Sequence, residues 1–246
     1  MIKITAVNAS SEVLVLNEAN NYAVTDVQGL SPAAANINVT NLAGDGSNFN
    51  SAMIPQRNIV LTVYMLNDVE ASRQALYKFF SPKKNITLLF ENDNRKLKIS
   101  GYVESFEGTF FSNSEYFQIS VICPQPFLED QTDETAALTA GENTVTNNGD
   151  YACGFNAELT VTSGASDISI SDGYNTLTID GAALLASDII TICTISGKIS
   201  VKKGNTSLLN YISLTNGFPK LAVDDTTITL DNCSGQLTFT ALYGGM

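Results

Sequence analysis

Short stretches in which apolar and polar residues alternate recur through the first half of the chain, and this period of two is typical of half-buried β-strands. Between two of them, residues 91–94 have the composition of a hairpin turn and predict a four-residue connection. The last stretch stops at Pro124, because proline cannot donate to a strand ladder. The predicted strands are residues 12–16, 22–27, 36–40, 57–66, 85–90, 95–103 and 115–123.

One segment of the first half has a helical pattern instead. Val69, Leu76 and Phe80 fall on one face at helical spacing. Asn67 and Glu70 have the spacing of a capping box, and a Ser-Pro pair follows Phe80. The sequence therefore predicts a single helix between the strands.

The second half contains no segment that predicts a helix longer than a turn or two. Turn pairs such as Asp-Gly, Ser-Gly and Asn-Gly recur about every ten positions, and many short strands at this spacing predict a β-sandwich or jelly roll. The predicted strands are residues 157–162, 168–171, 176–180, 189–195, 198–202, 211–214, 220–223, 226–230 and 236–242.

Charge and composition change near residue 130. Residues 1–130 hold nine basic and thirteen acidic side chains, and the remainder holds four basic and twelve acidic. Residues 131–144 are acidic and polar without clear periodicity, which is typical of a solvated connection. We therefore predict a first domain over 1–130, a linker over 131–144 and a second domain over 145–246.

Composition excludes many function classes. The chain has 246 residues, 44% of them hydrophobic, which is enough to form a core. It contains no histidine, and this absence removes Ser-His-Asp and Cys-His catalysis and every histidine metal site. The four cysteines are Cys123, Cys153, Cys193 and Cys233, whose wide spacing predicts buried free thiols rather than a zinc or redox motif.

The net charge of −12 argues against nucleic-acid binding, because a polyanion gains no counterion release from an acidic surface. No run reaches the ~18 apolar residues of a membrane span. Residues 1–8 have the pattern of a strand rather than of a signal peptide. We expect neither a membrane contact nor a cofactor.

Carboxylate pairs are the remaining route to catalysis without histidine. Asp224 with Asp225, and Glu104 with Glu107, are the nearest pairs, but extended spacing directs each pair to opposite faces. Residues 44–47 lack the lysine of a phosphate-binding loop, and residues 91–94 lack the glycine and glutamate of a calcium loop. We predict no catalytic, cofactor-binding or metal site and expect that the protein is not an enzyme.

Several phrases, taken in order, resemble the distal tail protein family of long-tailed bacteriophages. The resemblance is specific between residues 29 and 127 and looser in the second domain, where residues 148–150 and 192–198 are similar to the galectin-like sandwich of many members. The phrases of the first domain are Gly29-Leu30-Ser31-Pro32, Asp45-Gly46-Ser47, residues 57–62, residues 76–83, residues 101–105 and residues 118–127.

The resemblance implies a tail-tube-like β-sandwich or barrel in the first domain and a galectin-like or jelly-roll sandwich in the second. It implies a homo-hexameric ring in the virion, assembled in the host cytoplasm, that joins the tail-tube protein above to a hub or tip protein below. DNA would pass through the lumen without specific binding. The second domain would offer an attachment point for receptor-binding or peripheral baseplate proteins.

Residues 41–55 predict a long loop rich in Asn, Gly and Ser, in which Phe49, Met53 and Ile54 offer apolar anchors. Because this composition gives the segment little reason to order alone, we predict that it orders against an adjacent subunit. The alternative is a mobile surface loop.

A second function stays open. A carbohydrate-binding tip protein would recognise the host surface through the second domain, but the chain lacks tryptophan and the histidine, arginine and tryptophan set of galectins. Its aromatic residues could form a sugar-stacking platform or pack in the core. They are Tyr151, Phe155, Tyr174, Tyr211, Phe218 and Tyr243.

Overall fold

The computed structural model describes residues 2–108, 116–162, 164, 166–181 and 184–246. Two compact units are present. The first comprises Met1–Gln131 together with Tyr243–Met246, and the second comprises Thr132–Leu242. Among the sequence predictions, the proposed strand start at Glu115 lies outside the described residues.

Strands form most of the first unit, as the alternating pattern predicts. Nine of the strands that the structure describes lie before residue 124. They are β1 (Lys3–Asn8), β2 (Val13–Leu16), β3 (Tyr22–Gln28), β4 (Asn36–Asn41), β5 (Ser47–Met53), β6 (Arg57–Met65), β7 (Asn85–Glu91), β8 (Lys96–Gly108) and β9 (Tyr116–Cys123). A short strand, β10 (Leu128–Asp130), precedes the second unit.

The main sheet of the first unit has the antiparallel order β2-β1-β7-β8-β9-β6-β3, and β10 pairs with β8. Alternation places one face of each strand in the core. In β6, for example, Ile59, Leu61 and Val63 are fully buried, while Val60 and Thr62 between them are only half-buried. Residues 92–95 connect β7 to β8, so the predicted four-residue hairpin connection is confirmed, although it begins one residue later than predicted.

The single α-helix of the described residues, α1 (Val69–Phe79), packs on this core through Leu76 and Phe79. Its start differs from the predicted capping box, because the N-cap is Asp68 in a left-handed conformation with no side-chain cap. Glu70 instead pairs with Arg73 and accepts from Gln74 on the helix surface.

The predicted loop over residues 41–55 is wrong for most of its length. Strands β4 and β5 pair with each other as an isolated two-stranded sheet, and a short turn joins them. We call residues 36–53 the ribbon. Because every residue of β4 and β5 is exposed, burial imposes no apolar alternation, and the Asn- and Ser-rich composition resembles that of a loop.

The second unit is a β-sandwich of two antiparallel sheets, with orders β11-β21-β13-β16-β17-β18 and β12-β20-β14-β15-β19. One core lies between them, with Phe155, Leu159 and Leu237 fully buried. Its strands are β11 (Glu134–Leu138), β12 (Gly141–Asn147), β13 (Phe155–Val161), β14 (Ile168–Ser171), β15 (Thr176–Ile179), β16 (Ile189–Cys193), β17 (Ser200–Lys203), β18 (Thr206–Ser207), β19 (Ile212–Thr215), β20 (Asp224–Asp231) and β21 (Cys233–Phe239). Strand β22 (Leu242–Tyr243) leads out of it.

The predicted linker over 131–144 needs correction. Strand β11 and the start of β12 occupy most of it, and each pairs at the end of a sheet. An edge strand has a neighbouring strand on only one side, and only one of its faces packs on the core. It therefore keeps many polar positions, and an acidic, weakly periodic sequence can still form such a strand. The last four residues also differ from the predicted second domain, because they belong to the first unit.

The predicted fold class is confirmed: the protein is mainly β with one α-helix among the described residues. The two predicted regions also correspond to two separate hydrophobic cores. The fold class was predictable because a strand with one buried face must carry apolar residues at alternate positions.

Candidate assembly surface

The ribbon has two chemically different faces. Cross-strand pairs point to the same side of a sheet, and one such side carries the pairs Ile37 with Ala52 and Val39 with Phe49. A bulge between Asn38 and Val39 shifts the register by one residue, which brings Phe49 to the same side as Ile37. We call this side the apolar face of the ribbon.

The opposite side carries mostly polar pairs, Asn38 with Ser51 and Thr40 with Asn48, followed by Asn36 with Met53. Asn50, the extra residue at the bulge, donates from its side-chain amide to Thr40 Oγ1 at 2.8 Å. The ribbon is therefore amphipathic although no part of the described chain covers either strand.

Exposure of the apolar face is large. Ile37 is 64% exposed and Phe49 is 66% exposed. Asp45 at the turn is the single charged residue in the ribbon. An exposed, almost uncharged and partly apolar segment is typical of a surface that another molecule covers.

The three predicted anchors lie in different places. Phe49 lies on the apolar face, whereas Met53, 67% exposed, lies on the opposite face. Ile54 follows the end of β5 and is half-buried. Only Phe49 therefore shares a face with the other large apolar side chains of the ribbon.

A buried arginine fixes the backbone beside the ribbon, and the sequence analysis did not identify it. Arg57 begins β6, is 4% exposed, and donates to the carbonyl oxygens of Gly29 at 2.9 Å and Gly244 at 2.5 Å. Gly29 has φ +88°, and a Cβ there would lie 2.1 Å from the carbonyl oxygen of Asn58, so only glycine fits.

Residues 243–246, which we call the strap, complete this cluster. Arg95 lies over the ring of Tyr243 at 4.9 Å and donates to the carbonyl oxygen of Gly245 at 3.2 Å. The backbone N–H of Met246 donates to the carbonyl oxygen of Leu30 at 3.1 Å. Arg57 and the Gly-Leu-Ser-Pro phrase both belong to the segments that carry the family resemblance, but no local pattern links them, and the other partner, Gly244, is 187 positions away.

The carboxylate pairs have ordinary structural contacts. Glu104 lies at a bulge in β8 and accepts from Ser120 Oγ at 2.8 Å. Asp225 accepts from Thr146 Oγ1 at 2.6 Å, while its neighbour Asp224 has a left-handed conformation. Among the described residues, no group of three or more Cys, Asp or Glu is placed to hold a metal ion.

The two glycine- and asparagine-rich segments are turns. In residues 42–46 the N–H of Leu42 donates to the carbonyl oxygen of Gly46, which closes the ribbon turn. In the β7–β8 turn, Asn92 Oδ1 accepts from the N–H groups of Asn94 and Arg95. Both segments therefore have a conformational role that accounts for their composition.

The aromatic residues considered for sugar stacking do not share one surface. Phe155 is buried in the core of the second unit, and Tyr174 is 74% exposed in the β14–β15 turn. Tyr243 belongs to the first unit, where it contacts Arg95.

All four cysteines are free and buried. Burial raises the pKa of Cys123 and of Cys153 to about 11, and that of Cys233 to about 12. A thiol with so high a pKa is a poor nucleophile and a poor metal ligand near neutral pH.

In the part of the chain that the structure describes, no helix has the length and apolar character needed to cross a membrane.

Comparison with solved structures identifies proteins that share this fold. No protein-family model and no curated protein matches the chain. Among solved structures, it is similar to the Dit protein of phage SPP1, described as a hub of the adsorption apparatus in phages that infect Gram-positive bacteria. The TM-score is 0.75 at 14% identity, and the match covers 97% of this chain and 98% of that one.

Chains of the phage P2 baseplate in its activated conformation are also similar. The structure with Ca matches at a TM-score of 0.55 and 10% identity, and that with Sr at 0.53 and 9%, each over 100% of both chains. The chain therefore has the fold of a phage distal tail protein, as the resemblance implied.

Proposed function

We propose that this protein is a structural component of a phage tail, a homo-hexameric ring that connects the tail tube to the tip and lets DNA pass. The ribbon is the observation that carries this proposal, because an exposed, amphipathic and nearly uncharged pair of strands needs a partner to cover it. The fold shared with the SPP1 hub protein and the P2 baseplate chains supports it.

A ring also agrees with the chemistry of the chain. The ribbon is one surface and its receptor on a neighbour must be another, and such heterologous contacts form a ring when the rotation from copy to copy closes. The net charge of −12 suits a conduit for DNA, since an acidic wall offers no favourable phosphate contacts. We propose that the protein is not an enzyme and acts with a tube protein above, a hub protein below and peripheral baseplate proteins.

Native mass spectrometry of the purified protein tests this function. The expected result is a species with six times the 26.3 kDa chain mass, which becomes more abundant as concentration rises. A protein that stays monomeric at high concentration and low ionic strength would refute the ring.

A carbohydrate-binding role through the second unit is the alternative. One observation favours it, a shallow hollow of about 150 Å³ on the six-stranded sheet, lined by polar side chains that include Asn156, Glu158 and Gln236. A glycan array with the full chain tests it. Binding that Glu158→Gln removes would favour the lectin, whereas no binding would favour the purely structural role.

A further inference from the structure

A groove opens in the first unit between the end of β2 and the start of β3. A single turn of 3-10 helix, Glu18–Asn20, joins the two strands at this point. The groove has a volume of about 460 Å³, which is in the range of binding pockets and larger than one side chain needs. Its apolar lining comprises Ile2, Leu16, Ala19, Tyr22, Ala23 and Val24.

The floor of the groove is part of the hydrophobic core. Leu16 is 5% exposed and Tyr22 is 4% exposed, and both belong to the core of the first unit. The Tyr22 hydroxyl donates to the carbonyl oxygen of Ser72, so its polar atom already has a partner. An apolar side chain that enters the groove would therefore extend the core, and the buried hydroxyl of Tyr22 would keep its hydrogen bond.

The groove also lies where the main sheet ends. Strands β2 and β3 are the first and last strands of its order, and neither has a second partner strand among the described residues. Free strand edges offer backbone N–H and C=O groups to another extended segment. An incoming strand would thus meet hydrogen-bonding groups beside an apolar pocket.

Charge restricts what can bind there. Two copies of the chain, each of net charge −12, repel one another, so a contact between them forms best where charge is low. The groove lining carries Lys3 and Glu18, and Lys3 also pairs with Glu91 at 3.0 Å, so the groove has a formal charge of about −1, while the ribbon carries only Asp45. The ribbon and the groove are therefore surfaces that two copies can bring together with little repulsion.

We infer that the groove receives the apolar face of the ribbon from a second copy of this chain. Phe49 and Val39 enter the apolar pocket, and the ribbon backbone lies along the open sheet edge. This inference rests on the proposed ring and names its acceptor surface. Because each copy has one ribbon and one groove, the contact passes from copy to copy around the ring.

Cross-linking of full-length copies tests the contact. Ser47 is paired with Asn41 on the apolar face, and Ser51 is paired with Asn38 on the opposite face, which makes them matched positions. A copy with Ala19→Cys at the groove is mixed with a copy carrying Ser47→Cys or Ser51→Cys, and a short bis-maleimide is added. The native cysteines are buried and serve as the unreactive background.

We expect the Ala19→Cys and Ser47→Cys mixture to give several-fold more covalent dimer than the mixture with Ser51→Cys. Equal yields, or a higher yield with Ser51→Cys, would overturn the inference.

A blocking variant gives an independent readout. Ala19 is exposed, so Ala19→Trp fills the groove from its rim without entering the core. It should reduce the hexamer fraction in native mass spectra, while Val13→Trp, at an exposed position of β2 outside the groove lining, should not.

The failures are distinguishable. If wild-type rings form and Ala19→Trp assembles equally well, the groove is not the acceptor and the proposed function stands. If the wild-type chain never assembles, the proposed function and this inference both fail.

Discussion

Replacement of Arg57 by methionine should destabilise the first unit selectively. The guanidinium donates to a partly buried carbonyl oxygen, that of Gly29, and to a buried one, that of Gly244, and the two come from segments far apart in sequence. Hydrogen bonds from a charged donor contribute about 1.5–3 kcal/mol each, so the loss is about 3–6 kcal/mol. Domain stabilities are about 5–15 kcal/mol, so this is a large fraction of the total.

Cysteine labelling in urea can measure the effect in each unit separately. Cys123 reports on the first unit, and Cys153 and Cys233 report on the second, because each thiol reacts only when its unit opens. At an m-value of about 2 kcal/mol/M, the loss lowers the urea midpoint for Cys123 labelling by about 1.5–3 M. The midpoints for Cys153 and Cys233 should move much less.

Lys96→Met is the control, since Lys96 lies exposed at the start of β8 and surface substitutions change stability little. Arg57→Met with an unchanged midpoint for Cys123 would refute the reasoning. So would equal shifts at all three thiols, because they would show that the two units unfold together.

Three further predictions concern assembly, pH and thiol reactivity. Phe49→Ser should weaken each ring contact by about 3 kcal/mol, from burial of its exposed two thirds at about 25 cal/mol/Å²; Met53→Ser on the opposite face should leave the dependence of hexamer fraction on concentration nearly unchanged. Burial alone would raise the pKa of Asp172. Hydrogen bonds from the Asn175 side chain and from the N–H groups of Asn175, Lys220 and Tyr174 outweigh this effect, so the pKa lies below the ordinary 3.8. This carboxylate therefore stabilises the second unit fully above pH 3.8 and progressively less as pH falls through the lower, folded-state pKa, and urea titrations of Asp172→Asn should show a weaker loss of stability on acidification. In native protein at pH 8, maleimide should label none of the four cysteines within the time that labels all of them in urea, and rapid labelling of Cys233 would contradict its burial.

Local patterns predicted the parts of the fold that depend on one buried face. The alternation in residues 57–66 matches β6, and Ile168–Ser171 forms a strand at the predicted residues. The helix was also predictable, because Val69, Leu76 and Phe79 are separated by seven and three positions, which places them on one face of a helix. Its cap was not, since Asp68 adopts a left-handed conformation that spacing does not reveal.

The candidate surface could be predicted only in part. Residue types in 41–55 indicated a segment that needs a partner, but a ribbon exposed on both faces carries no burial pattern that identifies its strands. Its two faces depend on a bulge that places Phe49 opposite Val39. The contact of Arg57 with Gly244 joins residues 187 positions apart, and no local pattern encodes such a pair.

The return of the strap to the first unit has a mechanical consequence. The chain crosses from the first unit to the second after Gln131 and crosses back after Leu242. A pulling load on the second unit is therefore shared between the covalent connection after Gln131 and the noncovalent contacts of the strap, and one protease cut in either crossing would leave the two units joined through the other. The second crossing holds only while Arg57 and Arg95 keep the strap seated.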